Sequence, residues 1–164
     1  MNERHAWLLT ALLAAALLLP AGLGGAEKGS GMEPSPKDKC PVCGMFVHKY
    51  PDFVASILLT DGSRVFFDGP KDLCKYYLNV RKYDPKHRQT DIVSIRVKDY
   101  YSLAAIDGRK AFYVVESNVY GPMGNELMPF EKESEAREFM RDHAGKRLLR
   151  FGDVTEAVIK GLDP

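Results

Sequence analysis

The six residues from Cys40 to Met45, Cys-Pro-Val-Cys-Gly-Met, carry the clearest chemical signal in the chain. Two cysteines three positions apart, Cys40 and Cys43, can direct both sulfurs at one metal ion. Gly44 allows the backbone to fold tightly beside them, and Met45 adds a thioether. Thiolates and thioethers form a soft ligand set that favours Cu(I) over hard cations. The spacing therefore predicts a Cu(I) site with Cys40, Cys43 and Met45 among its ligands.

Two further residues are candidates for the same site. His48 follows Met45 by three positions and carries an imidazole that can bind a metal. Its alternative interpretation is a solvated surface histidine beside Lys49. Met123 lies in the loop Gly121-Pro122-Met123-Gly124, where it has little to pack against. Because methionine also fills irregular gaps in protein cores, packing is the alternative for Met123.

Three other uses of the cysteine pair compete with copper binding. A disulfide oxidoreductase places Cys-x-x-Cys at a helix N-terminus, whereas this motif precedes a strand-rich region. A structural zinc site needs four ligands, and only Cys74 and a histidine such as His48 could complete it. A disulfide between Cys40 and Cys43 would close a strained, reducible loop. We favour the metal site because the ligands are soft, and we interpret Cys74 as a buried thiol on a helix.

Neither an enzyme nor a nucleic-acid-binding protein is indicated by the rest of the sequence. It has no Gly-x-Ser-x-Gly motif, no phosphate loop, no His-Glu-x-x-His motif and no dinucleotide fingerprint. Basic and acidic residues are interspersed and balance to a net charge of +1. That balance gives no electrostatic case for binding nucleic acid. We therefore predict a binding protein without catalytic residues.

The elements that must position these ligands alternate between strands and helices. The Asp61-Gly62 pair between two apolar runs predicts a hairpin, with strands over 53–59 and 64–67. Pro70 predicts the first turn of a helix. Further strands are predicted over 92–97, 111–115, 127–130 and 147–151, and a second helix over 134–143.

The two halves of the chain can be aligned with each other. The spacing Phe-x4-Asp at Phe67 recurs as Phe-x4-Glu at Phe130. Each half is then expected to continue into a short helical stretch, at 102–106 and at 155–159. The repeated order of strands and helices predicts an α+β fold of two homologous ββαβ units, the product of an internal duplication.

Composition divides the chain into four predicted segments. Residues 6–19 form an apolar run that is too short for a comfortable membrane span, and small residues follow as far as Ala26. An uncleaved apolar anchor is the alternative to a cleaved signal. The predicted segments are a signal peptide (1–26), a disordered linker (27–38), a first ββαβ domain with the cysteine motif (39–107) and a second ββαβ domain (108–164).

Several short motifs, among them Cys43-Gly44-Met45 and Gly121-Pro122-Met123-Gly124, together resemble the NosL family of nitrous oxide reductase accessory proteins. The resemblance covers the chain from Cys40 to about Val158 and depends on the order and spacing of several short motifs. They are Cys43-Gly44-Met45, Phe66-Phe67, Ala111-Phe112-Tyr113-Val114-Val115, Gly121-Pro122-Met123-Gly124 and Pro129-Phe130.

The resemblance implies a Cu(I)-binding metallochaperone that helps to assemble the copper centres of nitrous oxide reductase in denitrification. The expected partners are that enzyme, or a related periplasmic copper enzyme, as client, and a copper donor. The resemblance also implies two homologous ββαβ domains, with a distant likeness to organomercurial lyase. By the family's motif, Cys43 and Met45 are the ligands carried over to this chain, and Met123 is a third candidate.

The sequence departs from the family's pattern at the export signal. Family members are often lipoproteins with a cysteine at the signal cleavage site. No cysteine lies between Ala21 and Ala26, and Cys40 is too far downstream. The sequence therefore predicts a soluble periplasmic protein without membrane attachment. A thiol-disulfide redox protein and a zinc-stabilised interaction module stay open as alternative functions.

Overall fold

The computed structural model describes residues 32–163, which fold into a mixed α+β protein. The predicted signal peptide and the first part of the predicted linker, 27–31, lie outside the described residues. Within 32–163, every helix is too short or too polar to cross a membrane.

The first half of the chain supplies a four-stranded antiparallel sheet. Its elements are β1 (Ala55–Leu59), β2 (Arg64–Phe67), α1 (Pro70–Leu78), α2 (Val80–Tyr83), β3 (Ile92–Lys98) and β4 (Ala105–Asp107). The strand order is β2-β1-β3-β4. Ile57 of β1 pairs with Val65 of β2 on one side and with Ile95 of β3 on the other. The apolar strand β1 is therefore interior to the sheet.

The β1–β2 hairpin and α1 form where the sequence predicts them. Gly62 closes the hairpin turn with φ of +84°, a left-handed conformation that glycine adopts without steric cost. Gly69 is the N-cap of α1, and Pro70 fills the first helical position, where no amide donor is needed. This start places two acidic residues, Asp68 and Asp72, at the same end of the helix.

The second half supplies a three-stranded antiparallel sheet and a separate two-stranded hairpin. Its elements are β5 (Phe112–Val115), β6 (Tyr120–Gly121), β7 (Gly124–Asn125), β8 (Met128–Phe130), α3 (Glu133–Asp142), β9 (Arg147–Arg150) and α4 (Glu156–Leu162). The strand order is β8-β5-β9, and β6 pairs only with β7. The first strand of this half, β5, thus lies between β8 and β9. The first strand of the other half, β1, lies in the same way between β2 and β3.

Two apolar clusters hold these elements together. The larger one joins Leu73 and Tyr76 of α1 to Tyr113 of β5 and Ile159 of α4, so it ties the first helix to both halves. The smaller one lies under α3 and contains Phe130 of β8, with the remaining members Val114, Met128, Ala136 and Phe139. Burying one such large side chain stabilises the fold by about 1.5–3 kcal/mol.

The prediction of a short helix over 102–106 is wrong. These residues form a turn and then β4, whose Ile106 pairs with Val97 of β3. The carboxylate of Asp99 accepts hydrogen bonds from the backbone amides of the turn, and Leu103 has φ of +57°. A left-handed residue interrupts a right-handed helix. The matching prediction for 155–159 is confirmed, because α4 begins at Glu156.

The described part of the predicted linker is not disordered. Met32 is 3% exposed and belongs to the larger core. The hydroxyl of Ser56 donates a hydrogen bond to its sulfur at 3.4 Å. The amide of Ser35 donates to the carboxylate of Asp38 at 2.6 Å, which fixes a turn. A single methionine among polar residues shows no periodicity. Its burial results from contacts with distant elements and could not be predicted from the residues around it.

Candidate metal centre

The cysteine motif forms a short hairpin ahead of β1. The amide of Cys40 donates to the carbonyl of Met45 at 2.9 Å, and the amide of Gly44 donates to the carbonyl of Cys40 at 2.8 Å. Gly44 has φ of +80°, which explains the glycine at this position. The predicted tight turn is therefore confirmed. It brings the sulfurs of Cys40 and Cys43 within 4.8 Å of each other.

Two carboxylates at the start of α1 face this hairpin. The sulfur of Cys40 lies 3.3 Å from Oδ2 of Asp72, and the sulfur of Cys43 lies 3.3 Å from Oδ1 of Asp68. All four donor atoms lie within 4.8 Å of one another. A tetrahedral ion with ligand bonds of about 2.0–2.3 Å holds its donors roughly 3.3–3.8 Å apart. The four side chains are therefore close to the geometry that encloses one metal ion.

The two carboxylates of this site are buried, which favours the binding of a cation beside them. Asp68 and Asp72 are 1% and 2% exposed. Oδ2 of Asp68 is buried and has no hydrogen-bond partner among the described residues. A buried carboxylate oxygen without a partner is costly, because it has lost its hydration and gained nothing in return. A cation held between the carboxylates and the sulfurs would satisfy it.

The same burial keeps the thiols protonated. Desolvation raises the pKa of Cys43 to about 12, although a backbone hydrogen bond from Met45 lowers it. Desolvation raises the pKa of Cys40 further still, and the nearby carboxylates add to the rise. Burial also raises the pKa of Asp72. Because metals bind the thiolate, an ion entering this site displaces thiol protons and supplies the missing positive charge.

The structure places Met45 and His48 differently with respect to this group. Met45 ends the hairpin turn and is partly buried, with its carbonyl bonded to the amide of Cys40. His48 is exposed, and its ring lies edge-on to Phe46 at 6.0 Å. It lines a groove with Met32 and is not among the side chains that converge within 4.8 Å. For both residues, metal binding stays a prediction.

Met123 lies at the tip of the β6–β7 hairpin and is 41% exposed. Its carbonyl accepts a hydrogen bond from Nζ of Lys71 at 2.9 Å. The amide of Lys71 donates to the carboxylate of Glu126 at 2.5 Å. The loop that carries Met123 is therefore fastened to the first turn of α1, one residue from Asp72. A role for its sulfur as a ligand stays a prediction.

The third cysteine is placed as the sequence predicts. Cys74 lies on α1, is 2% exposed and belongs to the larger apolar core. Desolvation raises the pKa of its thiol far above the ordinary range. A buried, protonated thiol of this kind is chemically inert.

Sequence reasoning missed the two carboxylates of the site. From the sequence alone, Asp68 receives no role in the site, and Asp72 is only the acid of the repeated Phe-x4-Asp spacing. A usable signal existed, because acidic residues four positions apart at a helix start share one face. The partner could not be found in the same way, since the hairpin lies 25 to 32 residues away in sequence.

Two lysines of α1 surround the acidic end of the site. Nζ of Lys75 lies 3.7 Å from Oδ1 of Asp72 and 2.6 Å from Oδ1 of Asp163. Nζ of Lys71 is buried and lies 3.6 Å from the same Asp163 oxygen. Among the described residues, Asp72 is thus the acid of the site that forms an ion pair with a lysine.

The fold and this group of side chains define a small α+β protein equipped to hold a metal ion. The sequence pattern of the NosL family matches residues 31–159. The chain therefore belongs to the NosL family, as its resemblance in sequence predicts.

Two relatives connect this family to copper. The chain is 28% identical to the copper-binding lipoprotein NosL of Stutzerimonas stutzeri, over 98% of this chain and 87% of that protein. The crystal structure of the copper chaperone NosL from Shewanella denitrificans matches with a TM-score of 0.64 and 25% identity, over 76% of this chain and 95% of that one. One relative is thus named for copper binding and the other as a copper chaperone, and neither is named as an enzyme.

A second solved structure is also similar in part. The solution structure of the apo-NosL protein from Achromobacter cycloclastes is 29% identical to the chain, with a TM-score of 0.47, over 64% of this chain and 87% of that one.

The comparison with Stutzerimonas stutzeri corrects the predicted location. That relative is a lipoprotein, which points to a membrane-anchored protein and not to a free periplasmic one. The prediction of a soluble protein was therefore wrong. It depended on the absence of cysteine between Ala21 and Ala26 and on one chosen cleavage site. A missing residue in a short window is weak physical evidence, because membrane attachment also depends on the apolar segment beside it.

Proposed function

We propose that the protein carries Cu(I) as cargo and delivers it to a copper enzyme, with nitrous oxide reductase as the first candidate client. The observation that carries this proposal is that two thiols of the cysteine hairpin and two buried carboxylates at the start of α1 converge within 4.8 Å. The copper-binding relatives support the choice of metal.

The soft donors are the ones that select Cu(I). We assign Cys43 and Cys40 as thiolate ligands and Met45 as the thioether beside them. Asp68 and Asp72 are hard oxygen donors, which Cu(I) does not prefer. Their contribution is electrostatic, because two buried negative charges favour a cation in the site. Without that cation, the same charges oppose the loss of the thiol protons.

Transfer requires that the metal can leave. Cys43 is only partly buried, whereas Cys40 is 1% exposed. A client thiolate or thioether can therefore approach the metal from the side of Cys43 and exchange with one ligand at a time. Met123, held near the first turn of α1 by Lys71, is our candidate for a third soft ligand during this exchange.

The test is a comparison of cysteine variants. Competition with a Cu(I)-specific chelator, on reduced protein under anaerobic conditions, should show that Cys43→Ser weakens binding by about a hundredfold, since a hydroxyl cannot replace a thiolate. Cys40→Ser should weaken binding less. Cys74→Ser is the matched control, because Cys74 lies in the core, and its affinity should equal that of the wild type. Unchanged copper affinity in Cys43→Ser would refute the assignment.

A zinc-stabilised interaction module is the second candidate, and the carboxylates are the reason to keep it. Two thiolates and two carboxylates form a four-ligand set that zinc accepts in tetrahedral geometry. Metal analysis of the purified protein separates the two functions: zinc that a chelator cannot remove supports the module, and bound Cu(I) supports the chaperone. A redox function is disfavoured, because the raised thiol pKa values suppress the reactive thiolate.

We also infer that the chain arose by duplication of a ββαβ unit, with the halves at 39–107 and 108–164. The support is topological. In each half the first strand, β1 or β5, pairs antiparallel with the strand just before the helix and with a strand after it. In the second half, the β6–β7 hairpin is inserted between β5 and β8. The soft ligands Cys40, Cys43 and Met45 belong to the first half only. One metal site per chain is therefore expected, approached by the second half through the loop of Met123.

A further inference from the structure

Lys75 lies between a carboxylate of the metal centre and a carboxylate outside it. Its Nζ is 3.7 Å from Oδ1 of Asp72 and 2.6 Å from Oδ1 of Asp163. We propose that Lys75 is an internal counter-ion that moves its charge between these two acids and thereby sets how tightly the site holds a cation. This inference rests on the proposed function of the site.

The surroundings allow the lysine to move while its two partners stay in place. The side chain of Asp72 is 3% exposed, and it is fixed on α1 beside the sulfur of Cys40. The side chain of Lys75 is 20% exposed, and that of Asp163 is 40% exposed. Lys75 and Asp163 both line an open groove of about 440 Å³ that also reaches Val42 in the cysteine hairpin. A long, flexible ammonium side chain at this place can approach either acid without disturbing the core.

The charges make the two positions depend on the metal. Without a cation between the cysteines and the carboxylates, the ammonium of Lys75 offsets part of the buried negative charge of Asp72. A cation on Asp72 repels the ammonium, and Asp163 then accepts it fully. Lys75 therefore competes with the metal for Asp72, and Asp163 weakens that competition by offering a second partner. Lys71 also faces Asp163, at 3.6 Å, and its ammonium donates hydrogen bonds to the carbonyls of Met123 and Leu162.

Substitutions of Lys75 and Asp163, which are in contact, are expected to change the Cu(I) affinity in opposite directions. Lys75→Met should tighten Cu(I) binding by about fivefold, because the competing charge is gone. Asp163→Asn should weaken it by about fivefold, because Lys75 then pairs with Asp72 alone; a fivefold change corresponds to about 1 kcal/mol. Lys75→Arg keeps the charge and should bind copper as the wild type does.

A double variant separates this mechanism from a general effect of charge. If Asp163 acts through Lys75, the loss caused by Asp163→Asn should disappear in the Lys75→Met background, which is a non-additive result. Lys160→Met is the matched control, because Lys160 lines the same groove, whereas the ion pair of Asp72 is formed by Lys75. Its copper affinity should change by less than about twofold, as expected for a screened surface charge.

The experiment is the chelator competition on the full reduced chain, with thermal unfolding to confirm that each variant is folded. Additive effects of the two substitutions, or changes of the same sign at Lys75 and Asp163, would overturn the counter-ion proposal while leaving the copper site intact. Failure of the wild type to bind Cu(I), or no loss in Cys43→Ser, would instead refute the proposed function. The two failures are therefore distinguishable in one series of titrations.

Discussion

The two halves of the chain place acidic residues at the same points of the fold and give them opposite surroundings. In the first half, Asp68 precedes the N-cap of α1 and Asp72 is the third residue of the helix, and both are buried. In the second half, Glu131 and Glu135 hold the same positions before and within α3. Glu131 is exposed, and Glu135 pairs with an exposed lysine at 2.7 Å.

The difference comes from what covers the helix start. Residues 38–47 fold over the acids of α1 and bring two thiols to them. Within residues 32–163, no comparable segment covers the start of α3, so Glu131 and Glu135 stay accessible to water. A position at the N-terminus of a helix therefore gives an acid only a favourable interaction with the helix dipole. Burial against sulfur ligands is what turns the pair at α1 into a site for a cation.

The largest effect is expected from a substitution in the core under α3, in the second half. Phe139 is 0% exposed, and its ring contacts Phe130 at 5.1 Å and Tyr100 at 4.7 Å. Phe139→Ala should lower the free energy of unfolding by about 3–5 kcal/mol, because it leaves a cavity. Denaturant unfolding measures the loss, and Glu138→Ala on the exposed face of the same helix is the control.

Copper binding then tests whether the halves are separable in function. Under conditions where Phe139→Ala is folded, its Cu(I) affinity should match that of the wild type, since the ligands belong to the first half. If the variant does not fold, the milder Phe139→Leu serves instead. A loss of copper affinity in the folded variant would show that the metal site depends on the packing of the second half, and the two halves would then not be separable in function.

An intermediate effect is expected at Glu126, the acid through which the second half meets α1. Desolvation raises the pKa of this fully buried carboxyl to about 8, although hydrogen bonds from the amides of Lys71 and Leu127 lower it. Between about pH 4.5, its ordinary pKa, and about pH 8, the unfolded chain releases this proton while the folded chain retains it. Glu126 therefore contributes to the free energy of unfolding of the wild type at low pH, and this contribution is lost as the pH rises through that window.

Glu126→Gln removes this dependence while keeping an acceptor for the two amides. The variant should gain on the order of 2 kcal/mol relative to the wild type between pH 5 and pH 8. Denaturant unfolding at several pH values measures the difference, and Glu138→Gln, at an exposed position, should show no such trend. A wild-type stability that rises over this range relative to Glu126→Gln would contradict the raised pKa.

The smallest effect sharpens the comparison of the two helix starts directly. Asp68→Asn should weaken Cu(I) binding by about tenfold, or about 1.4 kcal/mol, because it removes one of the two buried charges that favour the cation. Glu131→Gln changes the equivalent residue of the second half and should leave the affinity unchanged. Chelator competition measures both, and an equal effect of the two substitutions would show that only the net charge of the protein matters.

Local chemistry made much of the fold predictable. The Asp-Gly pair before Ser63 predicted the β1–β2 hairpin, Pro70 predicted the start of α1, and the helix predicted over 134–143 forms as α3 (Glu133–Asp142). In each case the signal lies within a few residues of the structure that it specifies. The turn after Asp99 was missed because side-chain hydrogen bonds to the backbone outweigh helix propensity there.

The candidate site was only half predictable, for a related reason. The cysteines and their tight turn could be read from six consecutive residues. The carboxylates of Asp68 and Asp72 could not, because their importance arises from burial under a hairpin that is remote in sequence. Met32 escaped for the same reason, since its burial depends on contacts across the fold. Propensity and spacing report on neighbours along the chain, whereas burial is a property of the assembled structure.

The hydrogen bonds within the cysteine hairpin have a consequence for the speed of copper exchange. The amides of Cys40 and Gly44 are bonded inside the hairpin, and the sulfur of Cys40 is shielded from solvent. A partner can therefore reach Cys43 on the closed hairpin, but it reaches Cys40 only when those backbone bonds break. Amide hydrogen exchange reports how often the cysteine hairpin opens. That opening frequency sets an upper limit on the rate at which the bond between Cys40 and copper can be exchanged.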